Sequence, residues 1–136
     1  MTPSGILESA LYVDDLDAAE AFYAEVMGLR RIAKVDGRHV FFGCGEGVLL
    51  IFDPAQTVHP PKPDARLPVP PHGTTGQGHL CFRGTEAEIA DWKVRLEAHG
   101  VAIEADFEWP QGGRSIYFRD PAGNSLEIAN PKIWGL

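Results

Sequence analysis

Hydrophobic and polar positions follow the same order in both halves of the chain. In the first half, the apolar run at residues 7–13 leads into a segment whose apolar positions recur with the period of a helix. In the second half, residues 78–82 lead into a similar segment that begins at Thr85. About three short strands follow each helix. Each half is therefore predicted to be a β-α-β-β-β module, and the fold class to be α+β.

Both predicted helices carry residues that typically begin and end a helix. Asp14 or Asp15 is a suitable N-cap for the first helix, and Gly28 a suitable stop. In the second helix, residues 85–88 have the pattern of a capping box, and Gly100 ends the segment. The apolar faces are Leu16, Ala19, Tyr23 and Val26 in the first helix, and Ile89, Trp92 and Leu96 in the second.

The strands that follow the helices repeat in sequence as well as in pattern. Residues 37–42 are matched by residues 113–118. Continued without a gap, this alignment pairs Ile51 with Glu127. The repeat therefore predicts that the last strands of the two modules are equivalent, with an apolar residue in one where the other has a carboxylate.

Residues 54–71, between the two modules, hold seven of the chain's eleven prolines. Proline removes a ladder donor and favours extended backbone, so this segment is predicted to be an ordered or semi-rigid linker rather than a helix or strand. A functional lid is the other interpretation, because such long loops often serve as lids. The 136 residues are interpreted as one domain, with module one at about 5–54, the linker at 55–75 and module two at about 76–131.

Composition and charge exclude several classes of function. The formal net charge of −7 argues against nucleic acid as a partner, because phosphate binding needs a basic surface. No stretch approaches the roughly 20 apolar residues of a membrane span, and the first residues lack a leader pattern. Cys44 and Cys81 form no disulfide framework or zinc motif, so two free thiols in a reducing cytoplasm are expected.

Three stretches resemble the vicinal oxygen chelate superfamily, which includes glyoxalase I, extradiol dioxygenases, fosfomycin-resistance enzymes and bleomycin-binding proteins. They are LESALYVDDLDAAEAFYAEVMGL, GQGHLCF and SIYFRDPAGNSLEI, and the resemblance extends over roughly residues 5–131. The last is the most specific, because a turn of the RDPAGN type before an apolar strand with one Glu recurs in the superfamily. The resemblance implies two modules whose sheets curl into a cup, with metal ligands on the first and last strands of each.

Carried over to this chain, the four ligand positions are Glu8, Ile51, His79 and Glu127. Because Ile51 cannot bind a metal, the resemblance implies a site with three protein ligands. An unpaired carboxylate in a core strand is costly, and a divalent metal would compensate it. Ligation without thiolate suits Mn²⁺, Fe²⁺, Ni²⁺, Zn²⁺ or Mg²⁺. The alternatives are a hydrogen-bonded core histidine, a solvated Glu8, and a Glu127 paired with an arginine.

Further polar side chains are candidates for contacts with a substrate. Tyr117 and Ser115 share one face of the strand before the RDPAGN turn, and fosfomycin-modifying relatives use similarly placed groups. Strand alternation puts Cys81 on the same face as the candidate histidine. Packed roles in the core are the alternatives for Tyr117 and Cys81. Arg38 and Arg114 are repeat-equivalent candidates for binding an anionic substrate, and solvated arginines at strand edges are equally compatible with the pattern.

The resemblance implies a small metal-dependent enzyme that chelates vicinal oxygens of a small-molecule substrate. A lyase, isomerase, thiol transferase or dioxygenase would use the metal to stabilise negative charge and Glu127 or Glu8 as a base. Glyoxalase I itself is disfavoured because Ile51 removes one ligand, and extradiol dioxygenase because Glu8 replaces a histidine. The alternative is a non-catalytic protein of the bleomycin-resistance type that holds a cationic ligand. Small members of the superfamily usually dimerise, so a homodimer is expected.

Overall fold

Two four-stranded mixed sheets, one in each half of the chain, form the framework of the protein. The computed structural model describes all residues from Met1 to Leu136. The chain divides into unit 1, Met1–Gly76, and unit 2, Gln77–Leu136. None of the helices has the length and apolar character needed to cross a membrane.

Unit 1 consists of a strand, a helix and three further strands. The helix runs directly into a π-helical turn, and a second helix of one turn follows the last strand. The elements are β1 (Glu8–Tyr12), α1 (Leu16–Ala21), the π-helical turn (Phe22–Val26), β2 (Arg30–Val35), β3 (His39–Cys44), β4 (Gly47–Phe52) and α2 (Pro54–Thr57).

Unit 2 repeats this order with a longer helix and ends in a short 3₁₀ turn. The elements are β5 (His79–Arg83), α3 (Glu86–Ala98), β6 (Ala105–Glu108), β7 (Arg114–Arg119), β8 (Ser125–Ala129) and the 3₁₀ turn (Pro131–Trp134).

The strands pair in the same order in both units. In unit 1, β1 is parallel to β4, β4 is antiparallel to β3, and β3 is antiparallel to β2. In unit 2 the corresponding order is β5, β8, β7, β6, with the same directions. The first strand of each unit lies at a sheet edge, and the last strand lies in the interior of the sheet. The predicted α+β class and the two β-α-β-β-β modules are confirmed.

The helices begin where the capping residues predicted. The carboxylate of Asp15 accepts a hydrogen bond from the N–H of Ala18 at 3.0 Å. Thr85 and Glu88 form a complete capping box at the start of α3. The helix ends at Ala98, just before Gly100, whose φ of 72° suits the left-handed residue that closes a helix.

The buried face of the first helix differs in part from the prediction. Ala19 and Tyr23 are fully buried, as predicted. The N–H of Met27 donates to the carbonyl of Phe22, five residues earlier, at 3.1 Å. Because this π-helical turn advances the register by one residue, Met27 rather than Val26 enters the core.

The last strands of the two modules align differently from the ungapped repeat. Phe41 pairs with Leu50 in unit 1, and its repeat equivalent Tyr117 pairs with Glu127 in unit 2. Leu50 therefore occupies the position equivalent to Glu127. The prediction that Ile51 holds this position is wrong, and Ile51 is fully buried in the core. Leucine cannot bind a metal either, so the fourth position stays without a ligand.

The misalignment arises in the turn between the two paired strands. Phe42 pairs with Leu49, seven positions later, whereas Phe118 pairs with Leu126, eight positions later. The connection in unit 2 is thus one residue longer. In a strand, a shift of one residue moves every side chain to the opposite face, so the correction changes which residues share a face.

The proline-rich segment begins with a helix that the sequence analysis did not predict. The carboxylate of Asp53 accepts from the N–H of Ala55 at 2.9 Å and caps α2. Pro54 occupies the first helical position, where its missing N–H removes no helical hydrogen bond. Proline at this position starts the helix rather than preventing it.

Residues 58–72, called the proline-rich loop below, return to the unit from which they leave. The N–H of His72 donates to the carbonyl of Thr57 at 2.9 Å and closes the loop at its base. The hydroxyl of Tyr12, at the end of β1, lies 2.7 Å from Nδ1 of the same histidine. The loop is therefore fastened to unit 1 at both a helix and a strand, as compact surface loops of this length often are.

Candidate functional site

Glu127 is the buried carboxylate at the centre of the unit 2 sheet. It lies in β8, directly opposite Cys81 of β5 and Tyr117 of β7. Its neighbours Leu126 and Ile128 point to the other face, where they are fully buried. The Glu127 side chain is only 6% exposed, and its Oε1 atom is buried without a hydrogen-bond partner. Leaving a buried acceptor unpaired costs on the order of 1–3 kcal/mol, so this position favours a cation or a donor beside it.

His79, the first residue of β5, presents one ring nitrogen to Glu127. Its Nδ1 lies 3.0 Å from the carbonyl oxygen of Ser125, which can only accept, so Nδ1 carries the proton. In the neutral imidazole, the lone pair of Nε2 then faces Oε2 of Glu127 at 3.4 Å. Two acceptors in this position repel each other unless a proton or a metal ion lies near both. The imidazole is 53% exposed, so solvent ions can reach it.

These two side chains fit a divalent metal ion. An imidazole nitrogen and a carboxylate are suitable ligands for Mn²⁺, Fe²⁺, Ni²⁺ and Zn²⁺. The hydrogen bond from His79 Nδ1 to the Ser125 carbonyl is the kind of second contact that orients a ligating histidine. The orphaned Oε1 of Glu127 is the observation that makes the fit specific. Neither unit by itself contains three His, Cys, Asp or Glu side chains grouped to hold a metal.

Tyr117 and Cys81 complete this face of the sheet. The rings of Tyr117 and His79 are stacked with centroids 6.2 Å apart. Burial, and next its contact with the Glu127 carboxylate, raises the pKa of Tyr117 to about 12. Burial, and next the negative charge of Glu127, raises the pKa of the Cys81 thiol to about 12. Both groups keep their protons at neutral pH, so Tyr117 is a hydrogen-bond donor and Cys81 is not a ready nucleophile.

Ser115 and Arg114 already have partners within unit 2. Ser115 is fully buried, and its hydroxyl accepts a hydrogen bond from Nε1 of Trp109 at 2.8 Å. Arg114 belongs to the other face of β7 and donates through Nε and Nη2 to the two oxygens of Asp106, at 2.8 and 2.9 Å. Glu86 adds an ion pair at 3.7 Å. These contacts lend no support to the predicted roles of Ser115 and Arg114 in substrate binding.

Glu8, the third predicted ligand, lies in unit 1. It is the first residue of β1 and pairs with Val48, just as His79, the first residue of β5, pairs with Ser125. Glu8 and His79 are therefore equivalent in the strand registers, as the family resemblance implied. The Glu8 side chain is exposed and lines a cavity of about 1100 Å³ within unit 1.

The cavity beside Glu8 has an apolar floor and a wall made by the proline-rich loop. The floor comes from the sheet, chiefly Phe41, Val48, Leu50 and Phe52, and the wall includes Pro60, Pro61, Leu67, Val69 and His72. This placement is compatible with a lid, and the linker between the two modules stays a prediction. No motif in the sequence marks which surface a loop covers, so the wall could not be predicted.

The family model described as the Glyoxalase/Bleomycin resistance protein/Dioxygenase superfamily matches residues 5–128. The chain belongs to this superfamily. Among curated relatives, glutathione transferase FosA of Serratia marcescens is 30% identical over 122 residues, which are 87% of this chain and 74% of the relative.

Solved structures agree with membership in this superfamily. A lactoylglutathione lyase from Agrobacterium tumefaciens is 50% identical, with a TM-score of 0.92 and complete coverage of both chains. A virulence protein from Salmonella typhimurium is 26% identical, with a TM-score of 0.70 and coverage of 96% of this chain and 98% of the other.

Membership in the glyoxalase, bleomycin resistance and dioxygenase superfamily confirms the predicted class of function. This class is a small metal-dependent enzyme of the glyoxalase, dioxygenase or fosfomycin-resistance type, which binds a small molecule and uses a divalent metal ion.

Proposed function

We propose that the chain is an enzyme whose divalent metal ion is bound by Glu8, His79 and Glu127. The observation that carries the proposal is the buried Oε1 of Glu127, which has no donor, next to an imidazole lone pair. Superfamily membership supports the metal. The equivalent register positions of Glu8 and His79 support Glu8 as the third ligand, from the same chain or from a second copy.

The side chains around this site would share the chemical work. When bound, the metal would supply positive charge that stabilises negative charge on a substrate oxygen. The phenol of Tyr117 would donate a hydrogen bond to such an oxygen, because its proton is firmly held. Glu8 is the more accessible of the two carboxylates and would take up a proton from a substrate carbon, whereas the buried Glu127 would mainly bind.

Glutathione is the substrate component that two relatives support. It occurs in the names of both the lactoylglutathione lyase at 50% identity and the glutathione transferase at 30% identity. We propose a reaction of the lyase type, in which the hemithioacetal of glutathione and a 2-oxoaldehyde becomes a 2-hydroxyacyl thioester. The proton on the thiol-bearing carbon moves to the adjacent carbonyl carbon, and the hydroxyl proton moves to the former carbonyl oxygen. The reaction is redox-neutral overall and needs no further reactant.

Metal binding tests the site directly. The metal content of the purified protein is measured by plasma mass spectrometry, and affinities for Mn²⁺, Ni²⁺ and Zn²⁺ by calorimetry after chelation and dialysis. We expect about one ion per chain, with affinity reduced at least about tenfold in His79→Ala and Glu127→Gln, as for the loss of ligands or their supports. Glu8→Gln is expected to weaken binding in the same direction.

Two matched controls make the same substitutions at positions outside the proposed site. His99→Ala and Glu97→Gln change exposed residues at the end of α3, outside the proposed site. They should bind metal like the wild type. If His79→Ala unfolds the chain without changing its metal content, His79 is a structural residue and the proposed site is wrong.

The reaction is tested with metal-loaded protein. Thioester formation from methylglyoxal and glutathione, and adduct formation from fosfomycin and glutathione, are followed by mass spectrometry. Product from the first pair alone supports the lyase, and product from the second pair alone supports a thiol transferase. A protein that binds metal but forms neither product would contradict the use of glutathione.

A cytoplasmic homodimer is the proposed state of the protein. The two cysteines are free, which suits a reducing compartment. Light scattering at micromolar concentration should give twice the chain mass of 14.8 kDa. A mass of one chain under these conditions would contradict the dimer.

A further inference from the structure

The cavity of unit 1 is electropositive although the chain as a whole is acidic. The net charge of the chain is −7, but the only carboxylate that lines the cavity is Glu8. Arg38 and Lys62 bring positive charge to the same lining. Two cationic side chains thus face one carboxylate in the lining, whether or not a metal is bound. A cleft with an excess of positive side chains and apolar walls favours an anionic ligand.

Arg38 is held in position without a carboxylate partner. Its Nη1 lies 2.8 Å from Nδ1 of His39, and the guanidinium carbon lies 5.9 Å from the centre of the Phe52 ring. Burial, and next the charge of Arg38, lowers the pKa of His39, so the imidazole remains neutral and accepts the hydrogen bond. None of the ion pairs in the protein involves Arg38. The guanidinium therefore has donors available for a ligand.

The surface next to Arg38 is aromatic. The rings of His39 and Phe41 are stacked with centroids 4.1 Å apart, and Phe52 packs edge-on against Phe41 at 5.2 Å and against His72 at 4.6 Å. Pockets for small organic ligands usually measure about 300–1000 Å³. At about 1100 Å³ the cavity is large enough for an aromatic or branched group, and much larger than a methyl substituent requires.

We propose that this cavity binds the body of the substrate, an aromatic or bulky apolar group that carries a carboxylate, and that Arg38 binds the carboxylate. The inference rests on the proposed function, because Glu8 lines the cavity and is one of the proposed metal ligands. It assigns a substrate class: carbonyl compounds with an aryl and acid substituent, rather than methylglyoxal alone.

Binding to metal-free protein tests the cavity independently of the metal site. Calorimetry is carried out in chelator with four probes: 3-phenylpropionate, 3-phenylpropanol, 3-phenylpropylamine and propionate. We expect 3-phenylpropionate to bind at least about tenfold more tightly than each of the other three. A charge-assisted hydrogen bond accounts for the preference over the alcohol and the amine, and burial of the ring for the preference over propionate. Arg38→Gln should remove this preference and leave the alcohol within about twofold.

Two further variants keep the result interpretable. Arg66 lies in the proline-rich loop but is not among the residues that line the cavity, so Arg66→Gln should bind like the wild type. Arg38→Lys keeps the charge and serves if Arg38→Gln fails to fold, with an expected loss of a fewfold. Equal binding of acid and alcohol, tighter binding of the amine, or an unchanged preference in both Arg38 variants would each overturn the proposal. Failure to bind metal, with anion binding intact, would overturn only the proposed metal site.

Discussion

The two units have the same strand order and register but different chemistry at matching positions. Where unit 2 has Glu127 and Tyr117, unit 1 has Leu50 and Phe41. Unit 2 thus places a carboxylate, a phenol and an imidazole on one sheet face, while unit 1 has an apolar floor with the proline-rich loop as a wall. The difference suggests a division of labour after duplication, in which one copy carries reactive groups and the other shapes a pocket.

The equivalent arginines show the same contrast. Arg114 is engaged by Asp106 and Glu86, and so supports the structure of unit 2. Arg38 has no acidic partner and lines a cavity. A repeat therefore identifies equivalent positions, but the role at each position depends on whether a neighbouring element supplies a partner.

Introducing the unit 2 carboxylate into unit 1 is expected to have the largest effect on stability. Leu50→Glu puts an unpaired carboxylate on an apolar floor and should lower the free energy of unfolding by on the order of 3 kcal/mol. Leu50→Gln, which has similar size without charge, should cost less. Urea unfolding at pH 7 measures both variants. If Leu50→Glu and Leu50→Gln lower the free energy of unfolding equally, the destabilisation comes from lost packing rather than from the buried charge.

The reverse exchange should stabilise the protein while removing its metal. Glu127→Leu replaces a carboxylate that has a buried, unpaired oxygen, so the metal-free protein should gain about 1–3 kcal/mol. Metal binding measured by calorimetry should be lost. A loss of stability would show that the contacts of the carboxylate with Tyr117 and Cys81 outweigh the cost of its unpaired oxygen, and would count against an uncompensated carboxylate at this position.

The capping residues and the repeat made most of the fold predictable. Asp15 and the capping box at Thr85 are local signals, and they act as predicted. The ungapped repeat could not place Leu50 opposite Phe41, because one additional residue in the unit 2 turn changes the alignment. The local sequence also does not reveal the partner of Arg114, since Asp106 comes from a neighbouring strand.

The hydrogen bond that attaches the proline-rich loop to β1 has no counterpart in unit 2. It should make a moderate contribution to the stability of unit 1. Tyr12→Phe removes the hydrogen bond to Nδ1 of His72 and should cost about 1 kcal/mol or less in global stability. Its clearer effect should be faster hydrogen exchange at residues 58–72, measured by mass spectrometry. Tyr23→Phe, which changes a tyrosine of the helix-side core, is the comparison. Unchanged exchange in Tyr12→Phe would mean that the backbone contact at Thr57 holds the loop alone.

Removal of Asp106, the acidic partner of Arg114, should have the smallest effect on stability, and this effect should depend on pH. Hydrogen bonds from Arg114 and then Lys93 hold the pKa of Asp106 well below its usual range. Because the folded pKa is lowered, Asp106 stabilises the fold above about pH 4, and this contribution is lost as the pH falls further toward the folded value. The pair is partly exposed, so Asp106→Asn should cost no more than about 1 kcal/mol at pH 7.

Urea unfolding of wild type and Asp106→Asn at pH 7 and pH 3 measures this contribution. The difference between the two proteins should shrink at pH 3, because the unfolded wild-type chain takes up a proton on Asp106 below about pH 4 while the folded protein keeps this carboxylate charged. A difference that is equal at both pH values would show that Asp106 acts through packing or through neutral hydrogen bonds.

The proline-rich loop leaves and returns at nearly the same place, between Thr57 and His72. Its residues contribute no strand to the sheet and no large side chain to the fully buried core. Changes in its length or composition can therefore alter the cavity with little effect on folding. A family built in this way can acquire new ligands by exchanging one surface segment, and loops grafted between Thr57 and His72 offer the same route to an engineer.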